Sequence, residues 1–194
     1  MNKDNSTSNQ FQRSDILKLF LTAAFPLHVW TIIMTLRDVG WVVEDRSVSG
    51  AVGFSAYVLL YTLFESLLLW GFLLLLGLLI SRKWGKDQRL TALGLVAMVL
   101  AGWSILEQII LVLYLDKVVN LLSRFAFLGT SPWIGMAALG LLVTVSFALP
   151  LLLVLRSPEF SRKVYAVFDR LNLLSGMYLF FDVIAIIIVI VRNL

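Results

Sequence analysis

Five long apolar runs organise the chain, at residues 16–36, 54–80, 91–115, 133–155 and 173–191. Each is about 20 residues or longer, enough for a helix to cross a hydrocarbon core roughly 30 Å thick. The runs are continuous and lack the apolar–polar alternation of a membrane β-barrel. The pattern therefore predicts an all-α, polytopic membrane helical bundle of about five transmembrane helices. The first run is the least regular, holding Pro26, His28, Thr22, Thr31 and Thr35. Lys18 interrupts its start and no A-x-A-like site closes it, so it reads as a retained helix, not a cleaved signal.

The polar segments between the runs differ in character. Residues 1–15 (MNKDNSTSNQFQRSD) read as a disordered polar tail, and 16–194 as a single transmembrane domain. Residues 37–50 read as a short hairpin-like connection, in which Arg37, Asp38, Glu44, Asp45 and Arg46 pair with one another or form a solvated rim. Residues 116–131 mix apolar positions with Lys117 and Arg124. Residues 158–172 open on Pro158, suited to a first helical turn, and place Phe160, Val164, Val167, Phe168 and Leu171 on one face. This segment predicts either an interfacial amphipathic helix or an extension of the fifth transmembrane helix.

Small residues recur at helical spacing in Gly94, Ala97 and Ala101 and in Gly140, Thr144 and Ala148. Such rows let helix backbones approach closely within a bundle or between protomers. Pro26 and Pro150 each remove a backbone donor and are expected to bend their helices.

Composition agrees with the pattern. The chain is 60% hydrophobic and 14% charged, against about 45–50% and about 25% for soluble domains. The absence of cysteine excludes disulfides, thiolate metal sites and iron–sulfur clusters. A single histidine excludes a two-histidine haem within one protomer. No cofactor or metal is expected. The formal charge of +4 reflects orientation in the bilayer and not nucleic-acid binding. Lys3, Arg13, Lys18, Arg82, Lys83, Lys86, Arg89, Arg156, Arg162, Lys163 and Arg170 fall on one side; Arg37, Arg46, Lys117, Arg124 and Arg192 fall on the other. The bias predicts a cell-membrane protein with a cytoplasmic N-terminus and an outside C-terminus.

Four ionisable groups interrupt the apolar runs: His28, Glu65, Glu107 and Asp182. Counted from one end of their spans, all four sit roughly 12–17 Å deep, in one layer. Each acid follows a donor by four residues, in Tyr61–Glu65, Trp103–Glu107 and Tyr178–Asp182. That spacing makes the two side chains neighbours on a helix, and a hydroxyl or indole N–H can satisfy a buried carboxyl group. A carboxylate at bilayer depth costs roughly 2.5–3.5 kcal/mol. The acids therefore either glue helices together or form a site responsive to protons or cations. A lone histidine more often bonds a neighbouring helix than a ligand.

There is no GxxxxGK[ST] loop, no HExxH and no nucleophile elbow. The first expectation is a non-enzymatic membrane component, an accessory or assembly subunit. The alternatives are a small proton- or cation-coupled carrier or channel protomer and, third, a lipid-active enzyme using the acids. The expected surroundings are the lipid bilayer and a second copy or another membrane protein.

Overall fold

The computed structural model describes residues 11–80, 84–127 and 132–194. Six helices follow in order: α1 (Arg13–Arg46), α2 (Val48–Leu79), α3 (Lys86–Leu113), α4 (Leu115–Phe127), α5 (Pro132–Arg156) and α6 (Pro158–Asn193). No strand occurs among the described residues. The fold is an all-α helical bundle, and α1, α2, α3, α5 and α6 are long and apolar enough to cross a membrane. The first ten residues of the expected tail, Arg82 and Lys83, and the side chain of Arg124 lie outside the described residues. α1 begins at Arg13, within the stretch read as tail.

At 34 and 36 residues, α1 and α6 are each about 50 Å long and exceed the hydrocarbon thickness. The segment read as a hairpin-like connection over 37–50 is instead helical through Arg46. It holds no proline, and Arg37 binds its neighbour Asp38 at 2.7 and 3.0 Å along the helix, so its charges need no opposing strand. The chain turns at Ser47, whose φ of 103° is the one positive value outside glycine among the described residues. Residues 158–172 continue into the last span as α6. Ser157 Oγ accepts the Phe160 N–H at 3.2 Å, and Ser161 and Phe168 are buried. A segment anchored so to the bundle extends the span and does not lie flat beside it. The short amphipathic helix is α4, which places Leu115, Val118 and Val119 on one side of its axis and Lys117 and Asn120 on the other.

α1 occupies the centre, packed against α2, α3 and α6, while α5 rests on α3 and α6. Side-chain bonds fix the directions. Lys86 Nζ lies 3.2 Å from Asp15 Oδ2, and Trp30 donates to Gln108 Oε1, so α1 and α3 are parallel. Thr31 and Thr62 hydroxyls meet at 2.7 Å while Trp70 donates to the Ile16 carbonyl at 3.2 Å, so α2 is antiparallel to α1.

The core consists of Leu19, Ala23, Leu73, Leu93 and Ala97. Small residues let the helices close up where apolar side chains gain little over lipid. Gly94, Ala97 and Ala101 are buried, and Phe168 lies so close to Gly94 that a Cβ there would stand 2.5 Å from the ring. Gly140, Thr144 and Ala148, by contrast, lie on an exposed face of α5. Large apolar side chains such as Leu79, Leu141, Phe180 and Val191 cover the outside, as a surface solvated by lipid requires.

Candidate functional site: a polar track between α1 and α6

The parallel helices α1 and α6 are joined by a ladder of polar bonds. It starts at one end of the bundle, where Lys18 Nζ reaches Asp169 Oδ1 at 2.7 Å and the Tyr165 hydroxyl at 3.1 Å. One turn further, Thr22 Oγ1 donates to Asn172 Oδ1 at 2.9 Å. A cavity of about 20 Å³ lies among Lys18, Thr22, Asp169 and Asn172, a size that admits one water. Ser175 Oγ then bridges the Leu21 and Leu171 carbonyls at 2.8 and 3.1 Å.

The ladder ends at His28 and Asp182, both almost wholly buried (0% and 2% exposed). His28 Nε2 lies 2.9 Å from Asp182 Oδ2, and Nδ1 lies 2.8 Å from the Ala24 carbonyl. A carbonyl only accepts, so Nδ1 carries a hydrogen. One more proton must then lie between Nε2 and Oδ2. Either an imidazolium faces a carboxylate, or a neutral imidazole accepts from a carboxylic acid. In both arrangements the pair is neutral overall, which is what burial demands. The Tyr178 ring stacks on the imidazole, 6.1 Å between centroids and 6° between planes. Asp182 Oδ1 and Thr35 Oγ1 are buried without hydrogen-bond partners among the described residues. Thr35 stands two turns beyond His28 on the same face of α1.

The other residues singled out in the sequence are distributed around the bundle. The Thr31–Thr62 bond sets Glu65 of α2 level with His28, and the Trp30–Gln108 bond sets Glu107 of α3 level with Val29. Glu65 and Glu107 thus share the depth of the His28–Asp182 pair, but both are exposed on the outside of the bundle. Neither has a polar partner among the described residues. Tyr61 is 69% exposed on the same outer face of α2 as Glu65. Trp103 donates to Ser146 Oγ of α5 at 2.9 Å and so ties α3 to α5, not to Glu107.

Of the seven residues, His28, Tyr178 and Asp182 come together. Thr22, Asn172 and Ser175 belong to the same track and are additional to them. A sequence signal for two of these exists: Asn172, Ser175 and Asp182 follow one another at spacings of three and seven residues, the repeat of a packed helix seam. Among the described residues, no three His, Asp or Glu side chains gather as a metal site would need.

No protein-family model, curated protein or solved structure matches this chain.

Proposed function

We propose that this multi-pass membrane protein is a non-enzymatic assembly subunit: the α1–α6 polar track pins its own bundle, and the face bearing Glu65 meets a partner inside the bilayer. The observation that carries this reading is the exposure of Glu65 at the level of the buried His28–Asp182 pair. A carboxylate facing acyl chains at that depth costs roughly 2.5–3.5 kcal/mol. A partner helix presenting a Lys, Arg or hydroxyl donor removes that cost, and the aromatic surface of Tyr61 and Phe64 beside it supplies contact area. The basic residues Lys18, Lys86 and Arg162 gather at one end of the bundle, which supports a cytoplasmic N-terminus in a cell membrane.

The test is site-specific photocrosslinking in native membranes, with the reactive residue at Phe64 and, as a control, at Leu152 of α5. A discrete protein adduct at Phe64, absent at Leu152 and weakened at least tenfold by Glu65→Leu, is expected. Equal lipid-only labelling at the two positions would remove the subunit reading.

The shared proton of His28 and Asp182 favours a second reading, a proton-responsive carrier protomer. The polar track supplies access from the Lys18 end. Beyond His28, however, α1, α2 and α6 line an open apolar groove of about 300 Å³, walled by Val39, Val43, Phe181, Ile184 and Ile188 among others. A carrier needs a polar path on that side as well. Proton flux into liposomes that exceeds empty vesicles and disappears in Asp182→Asn would promote this reading above the first.

A further inference from the structure

At the end of the bundle opposite Lys18, two arginines converge on one pocket. Its volume is about 390 Å³, and Arg46, Ser47, Gly50, Gly53, Tyr57 and Arg192 are among its lining residues. The arginines come from the last turns of two different helices, α1 and α6, and both face the first turns of α2. Arg192 Nη1 donates to the Ser49 carbonyl at 2.5 Å, and its guanidinium lies directly over Gly53. A Cβ at that position would stand 2.2 Å from Nη1 and 2.5 Å from Cζ. Glycine at this position lets the guanidinium lie against the α2 backbone. Arg192 has no carboxylate partner among the described residues. Arg46 has only Asp45, at 3.5 Å with both side chains more than half exposed, a contact of little energetic weight. Tyr57 accepts from Asn193 Nδ2 at 2.6 Å, which leaves its own hydroxyl hydrogen free to donate.

Donors therefore outnumber acceptors in this pocket, and Asp45 is the one carboxylate side chain paired with either guanidinium among the described residues. A guanidinium presents parallel N–H groups whose spacing matches two oxygens of a phosphate. The positive end of the α2 dipole adds to this field, and the negative ends of α1 and α6, where Arg46 and Arg192 sit, partly offset it.

We infer that the pocket between Arg46, Tyr57 and Arg192 binds a phosphate group, Arg192 supplying the bidentate contact, Arg46 the second charge and Tyr57 a hydroxyl donor. The phosphate comes from an anionic lipid headgroup or from a soluble phosphate. This inference stands apart from the subunit reading, because the pocket lies at the end of the bundle and Glu65 lies at its middle.

The full chain in detergent is titrated with dioctanoyl phosphatidic acid, dioctanoyl phosphatidylcholine and inorganic phosphate, and thermal unfolding is followed. A saturable rise in Tm with phosphatidic acid, absent with phosphatidylcholine, is expected for the lipid source. A saturable rise with inorganic phosphate that competes with phosphatidic acid identifies the soluble source. In Arg192→Gln and Gly53→Ala the apparent affinity should fall at least tenfold. Tyr57→Phe, which deletes one hydroxyl and no charge, should weaken binding severalfold and keeps the test usable if the other variants fold poorly. No saturable shift with either anion, or shifts unchanged in Arg192→Gln and Tyr57→Phe, would overturn the assignment.

Discussion

His28 and Asp182 are coupled by one proton, and this makes their substitutions unequal. Replacing Asp182 by Asn keeps a donor at the position of the carboxylic acid, because Asn Nδ2 can give a hydrogen to Nε2 while Nδ1 still binds the Ala24 carbonyl. The loss should stay near 1 kcal/mol, the ordinary scale of a hydrogen bond between membrane helices. His28→Leu strands a buried carboxyl group and should cost about 3–5 kcal/mol, as breaking a buried pair does. The double variant His28→Leu/Asp182→Leu should be more stable than His28→Leu alone, since no polar group is left unpaired. Unfolding in mixed micelles with increasing sodium dodecyl sulfate measures all three. Additive losses in the double variant would show that the two side chains do not act as a pair. The residue scale also shows why the three acids cannot be treated alike. Glu65, Glu107 and Asp182 each follow an aromatic donor by four residues. Only Asp182 turns inward, and its nearest bond runs to another helix and not to its own Tyr178.

At the scale of elements, close approach sets which helices touch. α3 and α6 meet where Phe168 covers Gly94. Gly94→Val forces the ring or the helix away, and overpacking of this kind costs about 1–3 kcal/mol. Phe168→Ala should relieve most of the strain of Gly94→Val while creating a loss of its own, so the two changes should be non-additive by more than about 0.5 kcal/mol. Stability by the same micelle titration, run on both single variants and the double, reads this directly; independence of the two would mean that α3 and α6 do not meet here. The exposed row Gly140, Thr144 and Ala148 has the same composition and no such cover. Its Thr144 hydroxyl returns to the Gly140 carbonyl at 2.7 Å, satisfied within α5 itself.

The whole molecule has two unlike ends. One carries Asp15, Lys18, Lys86 and Asp169, linked across helices by ion pairs. The other carries Arg46 and Arg192 around an open pocket. The absence of native cysteine makes this asymmetry testable by labelling. Cysteine at Ser47 should react with an impermeant thiol reagent in intact cells, whereas cysteine at the exposed Lys163 should react only after permeabilisation. The opposite pattern would invert the proposed orientation while leaving the fold untouched.

Helix, span and order were legible in the sequence because they rest on local properties. Hydrophobic length decides whether a segment can cross a bilayer, and counting residues places each polar group along its own helix. The extent of the helices beyond the bilayer was less legible. Charges between 37 and 46 look like a loop until Arg37 is seen binding Asp38 on the same helix. Nor did Pro158 distinguish an interfacial helix from the base of α6, since the choice rests on Ser161 and Phe168 finding buried contacts. The direction of each polar side chain was not legible at all. It depends on which helices become neighbours, and that is decided by small residues and ridges fitting across the bundle. So the sequence by itself determined an apolar helical bundle with ionisable groups at depth. Only the tertiary structure separated a paired His28–Asp182 inside from Glu65 and Glu107 outside, because burial belongs to the assembled neighbours and not to any one helix.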